Sequence, residues 1–205
     1  MYSIYMKNFF EYEKQTCSWP KCYYEVFSSI INDNNYKKVL EVGCAYGFHT
    51  KQVISNTNIE SYTMVDPYVP YSNDVFSDSV QNVYRDGSET LSNFDQFLNI
   101  VMEELSEHKE KITHIRKPSV EAAKEVEDGS LDAIFVDGDH SYSAVKEDLQ
   151  AWWSKLRVGG TLCGDDYWMS DVARAVHEFA SEHNLEVKFK TRDDNDYKIF
   201  YFKKM

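Results

Sequence analysis

The chain has 205 residues, 42% of them apolar, which is enough for one domain with a full core. Its 22 Lys and Arg stand against 34 Asp and Glu, a net charge of −12, which argues against nucleic acid or an anionic membrane surface as partner. Cys17, Cys22, Cys44 and Cys163 keep neither disulfide-framework nor zinc spacing, and apolar runs never reach the ~18 residues of a membrane span, so a cytoplasmic protein with reduced thiols is expected.

In chain order, residues 1–19 carry Tyr2, Tyr5, Phe9, Phe10, Tyr12 and Trp19 without a period, a composition suited to covering a site or a partner subunit of a homo-oligomer. Pro20 suits a first helical position, and Tyr23, Val26, Phe27, Ile30 and Ile31 form an amphipathic stripe that Asn32–Asn35 ends. Residues 1–35 are therefore read as a helical N-terminal extension and 36–205 as the main domain. Lys38–Val42 predicts a first strand, Gly43–Gly47 a tight turn, Phe48–Ser55 a helix, and Glu60–Val65 a second strand closed by Asp66-Pro67. Residues 67–90, with Tyr68, Tyr71 and Tyr84, have no period and read as a functional loop that would shape an acceptor pocket.

Leu91, Phe94, Leu98, Val101, Met102 and Leu105 mark a long helix, Ile112–Ile115 a third strand, and Ser119–Glu127 a short helix. Leu131–Val136 is the fourth strand. Tyr142, Val145, Leu149, Trp152, Trp153 and Leu156 predict a helix capped by Ser141 and stopped by Gly159-Gly160. Thr161–Gly164 is the fifth strand, residues 172–180 a last helix, and Glu186–Lys190 with Lys198–Phe202 a hairpin around Asp193–Asp196. Strands alternating with helices imply a parallel sheet, and the closing hairpin adds an antiparallel strand at its edge.

Two strand exits stand out. Ile134 to His140 reads Ile-Phe-Val-Asp-Gly-Asp-His, and Gly164-Asp165-Asp166-Tyr167 echoes it. Ligands of open α/β sheets bind beyond the carboxyl ends of the strands, so neighbouring strands ending in Asp would aim carboxylates into one crevice. Read singly, Asp137 could cap the next helix and Asp165-Asp166 could be a solvated turn. Glu41-x-Gly43-x-x-x-Gly47 opens a helix after a strand, as a nucleoside-binding turn does, although a turn serving no ligand has the same pattern. Asp66, at the end of the next strand, is placed to accept from ribose hydroxyls. Ala45 and Phe48 break the Gly-x-Gly-x-x-Gly needed for a pyrophosphate, which favours S-adenosylmethionine over a dinucleotide.

Val39–Gly47, Val65–Tyr68, Phe135–Tyr142 and Val158–Tyr167 together resemble a class I S-adenosylmethionine-dependent methyltransferase. The second pair resembles metal-dependent O-methyltransferases of the catechol and caffeoyl-CoA types, and more closely those acting on macrolide sugars. The resemblance implies a Rossmann-like, seven-stranded, mostly parallel sheet with an antiparallel C-terminal hairpin strand. It implies Glu41, Gly43, Ala45, Tyr46, Gly47, Asp66 and Ser119 around the cofactor, with Ser119 near the adenine. Carried over, the ligands of Mg²⁺ or another divalent cation are Asp137, Asp165 and Asp166, with His140 as general base. Three carboxylates are hard oxygen ligands suited to such a cation, and an imidazole suits proton transfer. The acceptor is then a small-molecule hydroxyl, a sugar or glycosylated metabolite favoured. Lysine near the position of His140 in the catechol and caffeoyl-CoA types speaks against a phenol. A metal-independent methyltransferase and a non-catalytic cofactor-binding protein are the rival readings.

Overall fold

A computed structural model of the chain describes residues 23–69, 94–191 and 198–205. Pro20, Tyr71, Tyr84, Leu91 and the Asp193–Asp196 turn lie outside the described residues. In chain order the elements are α1 (Tyr23–Asn34), β1 (Lys38–Val42), α2 (Phe48–Asn56), β2 (Ser61–Val65), α3 (Phe94–Glu104), β3 (Ile112–Ile115), α4 (Ser119–Ala123), β4 (Leu131–Val136), α5 (Tyr142–Trp153), β5 (Leu156–Gly164), α6 (Ser170–Glu182), β6 (Lys188–Thr191) and β7 (Lys198–Lys203).

The strands form one sheet in the order β3-β2-β1-β4-β5-β7-β6. The pairings among β1 to β5 are parallel, and β7 runs against both β5 and β6. Alternation along the strands feeds two apolar layers. Val39, Tyr62, Met64 and Phe135 pack with Phe27 and Ile31 of α1, Val53 of α2 and Val101 of α3. Leu40, Ile134 and Leu162 pack on the other face with Leu149 and Trp152 of α5 and Phe179 of α6. Helix α1 is thus a layer of the same core, since each large side chain it buries is worth about 1.5–3 kcal/mol.

The stop of α5 differs from expectation. The helix ends at Trp153, and Gly159-Gly160 lie inside β5, where the register with β4 shifts between Leu131↔Leu156 and Ala133↔Thr161. Gly159 has φ +79°, and a Cβ on Gly160 would stand 2.9 Å from the Asp132 carbonyl. These glycines serve a bulge rather than a helix end. Leu156, read as the end of the helical stripe, is the first residue of the strand and is buried there.

At the carboxyl rim the ladder runs one residue past the strands. Gly43 N donates to Val65 O at 2.9 Å, Asp137 N to Val42 O at 2.9 Å, and Asp165 N to Val136 O at 3.4 Å. The chain leaves β1 toward β2 on one side and returns as β4 on the other, so the crevice at the rim is a topological switch point. Gly43 has φ +84°, and a Cβ there would lie 2.0 Å from the Asp137 carbonyl oxygen. Gly43→Ala combines left-handed strain with backbone overlap, each costing about 1–3 kcal/mol. A fall in melting temperature of roughly 10 °C is expected from thermal unfolding. An unchanged midpoint would contradict the close approach of the two strand exits.

Candidate active site

The glycine turn is held from below and from the side. Glu41 is 1% exposed and points into the core, where its carboxylate accepts from Tyr62 Oη at 2.8 Å, His49 Nδ1 at 2.8 Å and Thr50 Oγ1. His49 is 3% exposed and lies against Phe135. Asp66 holds the turn from the side. Its Oδ2 accepts from Cys44 N and Ala45 N, both at 3.0 Å, and its Oδ1 from Tyr68 N at 2.8 Å. Burial raises its pKa, against the lowering effect of those three N–H groups. A carboxylate has about four acceptor sites, so Asp66 keeps about one for a further donor.

Ala45 and Tyr68 both adopt positive φ, 40° and 46°. The Tyr68 hydroxyl donates to Ala45 O at 2.8 Å, which buries a side chain expected to shape the acceptor pocket. Tyr46 packs edge-on to Phe97 of α3, and Gly47, at φ 70°, precedes α2.

On the β4 and β5 side, Asp137, His140 and Asp166 converge, with one ligand atom from each within 4.8 Å of the others. His140 Nε2 lies 2.9 Å from Asp166 Oδ2 and 3.4 Å from Asp137 Oδ1, and each side chain is 21–23% exposed. Burial disfavours the charged imidazole, but the hydrogen bonds and charges of the two acids outweigh it and hold the His140 pKa up at about 10. Burial likewise opposes charge on Asp166, yet its bonds to His140 and Trp168 keep it below its ordinary range. Asp137 is raised by burial despite His140. Asp165 stands outside the cluster: its Oδ1 accepts from Asp166 N at 2.6 Å, a local turn that fixes Asp166 at φ 54°. The two acid oxygens, partly open to solvent, fit a divalent cation that keeps waters of its own.

Between this cluster and α4 lies a cleft of about 450 Å³ whose lining includes Gly43, Pro67, Ser119, Gly138 and Asp148. Its charged lining is Glu121, Asp139, Glu147 and Asp148 against Lys124. Such a cleft repels phosphates and favours a neutral or cationic ligand.

A family model described as a methyltransferase domain matches residues 40–167, from β1 through the second acid pair. The chain belongs to that methyltransferase family. Its fold is shared with solved structures at low identity. A Staphylococcus aureus protein provisionally named a caffeoyl-CoA O-methyltransferase is 14% identical with a TM-score of 0.65, over 95% of this chain and 91% of that one. A Podospora anserina methyltransferase solved with S-adenosylhomocysteine is 14% identical, TM-score 0.57, over 98% and 88%. TrmK of M. capricolum, in complex with the same cofactor product, is 16% identical, TM-score 0.57, over 90% and 68%. An uncharacterized protein of Acanthamoeba polyphaga mimivirus is 28% identical over 83 residues, so that the match spans 37% of this chain and 38% of that relative. Among the described residues no helix is long and apolar enough to cross a membrane.

In this methyltransferase, sequence reading passed over Asp148 of α5. Val145, Asp148, Leu149 and Trp152 are all buried and follow helical spacing, so an acid occupying the apolar stripe was the available signal. Burial pushes its pKa up to about 7, against a hydrogen bond from Ser119 and with help from Asp139 and Glu147. The folded methyltransferase therefore holds this proton more tightly than the unfolded chain, where a carboxyl titrates near ~4. Stability tied to Asp148 is fully present below about pH 4 and is lost as pH rises to about 7. Asp148→Asn removes that titration. Its melting temperature relative to wild type is expected to improve by several degrees between about pH 4 and pH 8, and a pH-independent difference would contradict the assignment.

Proposed function

We propose that this methyltransferase transfers the methyl group of S-adenosylmethionine to a hydroxyl of a small molecule, a sugar or glycosylated metabolite, with help from a divalent cation. The observation that carries the reading is the meeting of Asp137, His140 and Asp166 within 4.8 Å on the rim that also holds the glycine turn and Asp66. The acidic cleft beside that turn supports a phosphate-free, cationic cofactor. S-adenosylmethionine supplies a methyl group activated on a sulfonium.

The backbone from Gly43 to Gly47, Asp66 and Ser119 would hold the cofactor. Glu41 would act at one remove, by fixing the strand end through His49, Thr50 and Tyr62. Asp137 and Asp166 would hold Mg²⁺, which supplies Lewis acidity that lowers the pKa of a bound hydroxyl. With Mg²⁺ offsetting the charge of the two acids that otherwise keep it protonated, His140 would be neutral and would take the hydroxyl proton on Nε2. Trp168 is 70% exposed, and its Nε1 donates to Asp166 Oδ1 at 2.8 Å. Its open face beside the acids offers a surface on which a sugar ring can rest, which agrees with the resemblance to macrolide-sugar enzymes. Asp165 would serve by shaping the turn that presents Asp166.

His140 bridges the two acids directly, and that contact favours a second reading in which the same triad works without a metal. Calorimetry separates the two. Asp166→Ala is expected to abolish Mg²⁺ binding while S-adenosylmethionine affinity stays within about threefold. His140→Gln is expected to keep metal affinity within about tenfold and to slow methyl transfer to a panel of glycosides by roughly 10²–10³. Metal binding unaltered in Asp166→Ala, or transfer undiminished by a chelator, would sink the metal-assisted reading.

A further inference from the structure

The segment that braces the glycine turn is itself gripped from the end of β3. Asp66 and Tyr68 hold the turn at separate points, the carboxylate on Cys44 N and Ala45 N and the phenol hydroxyl on Ala45 O. Tyr68 does so at φ 46°, a left-handed conformation that costs a residue with a Cβ. The carbonyls of this segment are taken by two side chains. His114 Nε2 donates to Asp66 O at 3.2 Å, Arg116 Nε to Pro67 O at 3.2 Å, and Arg116 Nη2 to Tyr68 O at 3.4 Å. The remaining arm of the guanidinium, Nη1, pairs with Asp95 in the first turn of α3, whose Phe97 lies against both Tyr46 and Tyr68. One planar fork thus sets two consecutive carbonyls and the start of α3 in a fixed relation, which the point charge of a lysine could not do. The Arg116 and Asp95 side chains are 38% and 67% exposed, and an ion pair so open adds little to stability. Its geometry bears on position.

We propose that Arg116 is a positioning residue for S-adenosylmethionine: by holding the Pro67 and Tyr68 carbonyls it keeps Tyr68 in its left-handed bend, and through the Tyr68 hydroxyl it keeps the Gly43–Gly47 turn in the shape that takes the cofactor. The inference rests on the reading of that turn as part of the S-adenosylmethionine site. Loss of the fork leaves two carbonyls free to turn toward water, and Tyr68 can then relax out of its strained region. Its hydroxyl leaves Ala45 O. Ala45, at φ 40°, is then held only through its N–H on Asp66.

Calorimetry with S-adenosylhomocysteine, paired with thermal unfolding, tests this on the full chain. Arg116→Ala is expected to weaken binding roughly tenfold while its melting temperature stays within about 3 °C of wild type. Arg116→Lys, which keeps the charge without the fork, is expected to regain less than about threefold of that loss. Tyr68→Phe, which removes only the hydroxyl on Ala45 O, is expected to weaken binding by a similar factor. If Arg116 acts through Tyr68, the double variant loses no more than about 20-fold, where independent sites would lose about 100-fold. A merely structural role would lower the melting temperature and leave affinity alone. Unchanged affinity in Arg116→Ala, full recovery in Arg116→Lys, or additive losses in the double variant overturns the inference and leaves the cofactor site standing. Failure of wild type to bind S-adenosylhomocysteine overturns both.

Discussion

The contact on which the rest of the structure depends is the one between Gly43 and the carbonyl of Asp137. A side chain at 43 would overlap the main chain of Asp137 and Gly138, so these two strand exits come together only because residue 43 is glycine. The switch in chain direction between β1 and β4 opens a crevice there, and the rim places the glycine turn, Asp66, Asp137 and Asp166 around it. The turn that would hold a cofactor and the acids that would hold a metal are thus positioned by one backbone contact. Damage to either side is transmitted to the other through main chain rather than through mobile side chains.

Around that contact the charges are arranged by partner. Glu41 is buried with three donors, a favourable arrangement for a carboxylate out of water, and removal of any one donor leaves charge uncompensated. Asp66 uses three backbone N–H groups in the same way and so acts chiefly as the brace of the turn. Asp137 and Asp166, by contrast, are about a fifth exposed and share one imidazole between them. Two carboxylates facing each other favour a positive partner, and the His140 imidazole stands between them. Positive φ at Ala45, Tyr68 and Asp166 puts sparsely populated backbone on both sides of the crevice.

Much of this was legible in the sequence. Period-3.6 patterns gave the helices, and short, nearly continuous apolar runs gave the strands, as expected of a covered parallel sheet. Acids at two strand exits gave the rim, since no packing requirement places carboxylates there in pairs. What stayed hidden depends on side-chain direction and on contacts distant in sequence. A glycine in a turn looks the same whether it admits a ligand or its own chain, and only the structure shows that Gly43 admits the Asp137 main chain. Glu41 reads as a ligand contact until Tyr62 and His49 are seen to enclose it. Asp165 and Asp166 are adjacent, and only the local turn decides which faces His140. Gly159-Gly160 resemble a helix stop, because a bulge and a helix end both call for the same residue.

The central claim is that one crevice holds the sulfonium methyl and a cation bound by Asp137 and Asp166 at the same time. Nuclear relaxation tests it most directly, with ¹³C-methyl S-adenosylmethionine bound to the protein and Mn²⁺ titrated in the absence of an acceptor. Strong paramagnetic relaxation of the methyl carbon is expected in wild type, with its loss in Asp166→Ala while the cofactor stays bound. Relaxation that is absent in wild type, or equal in both proteins, would contradict it.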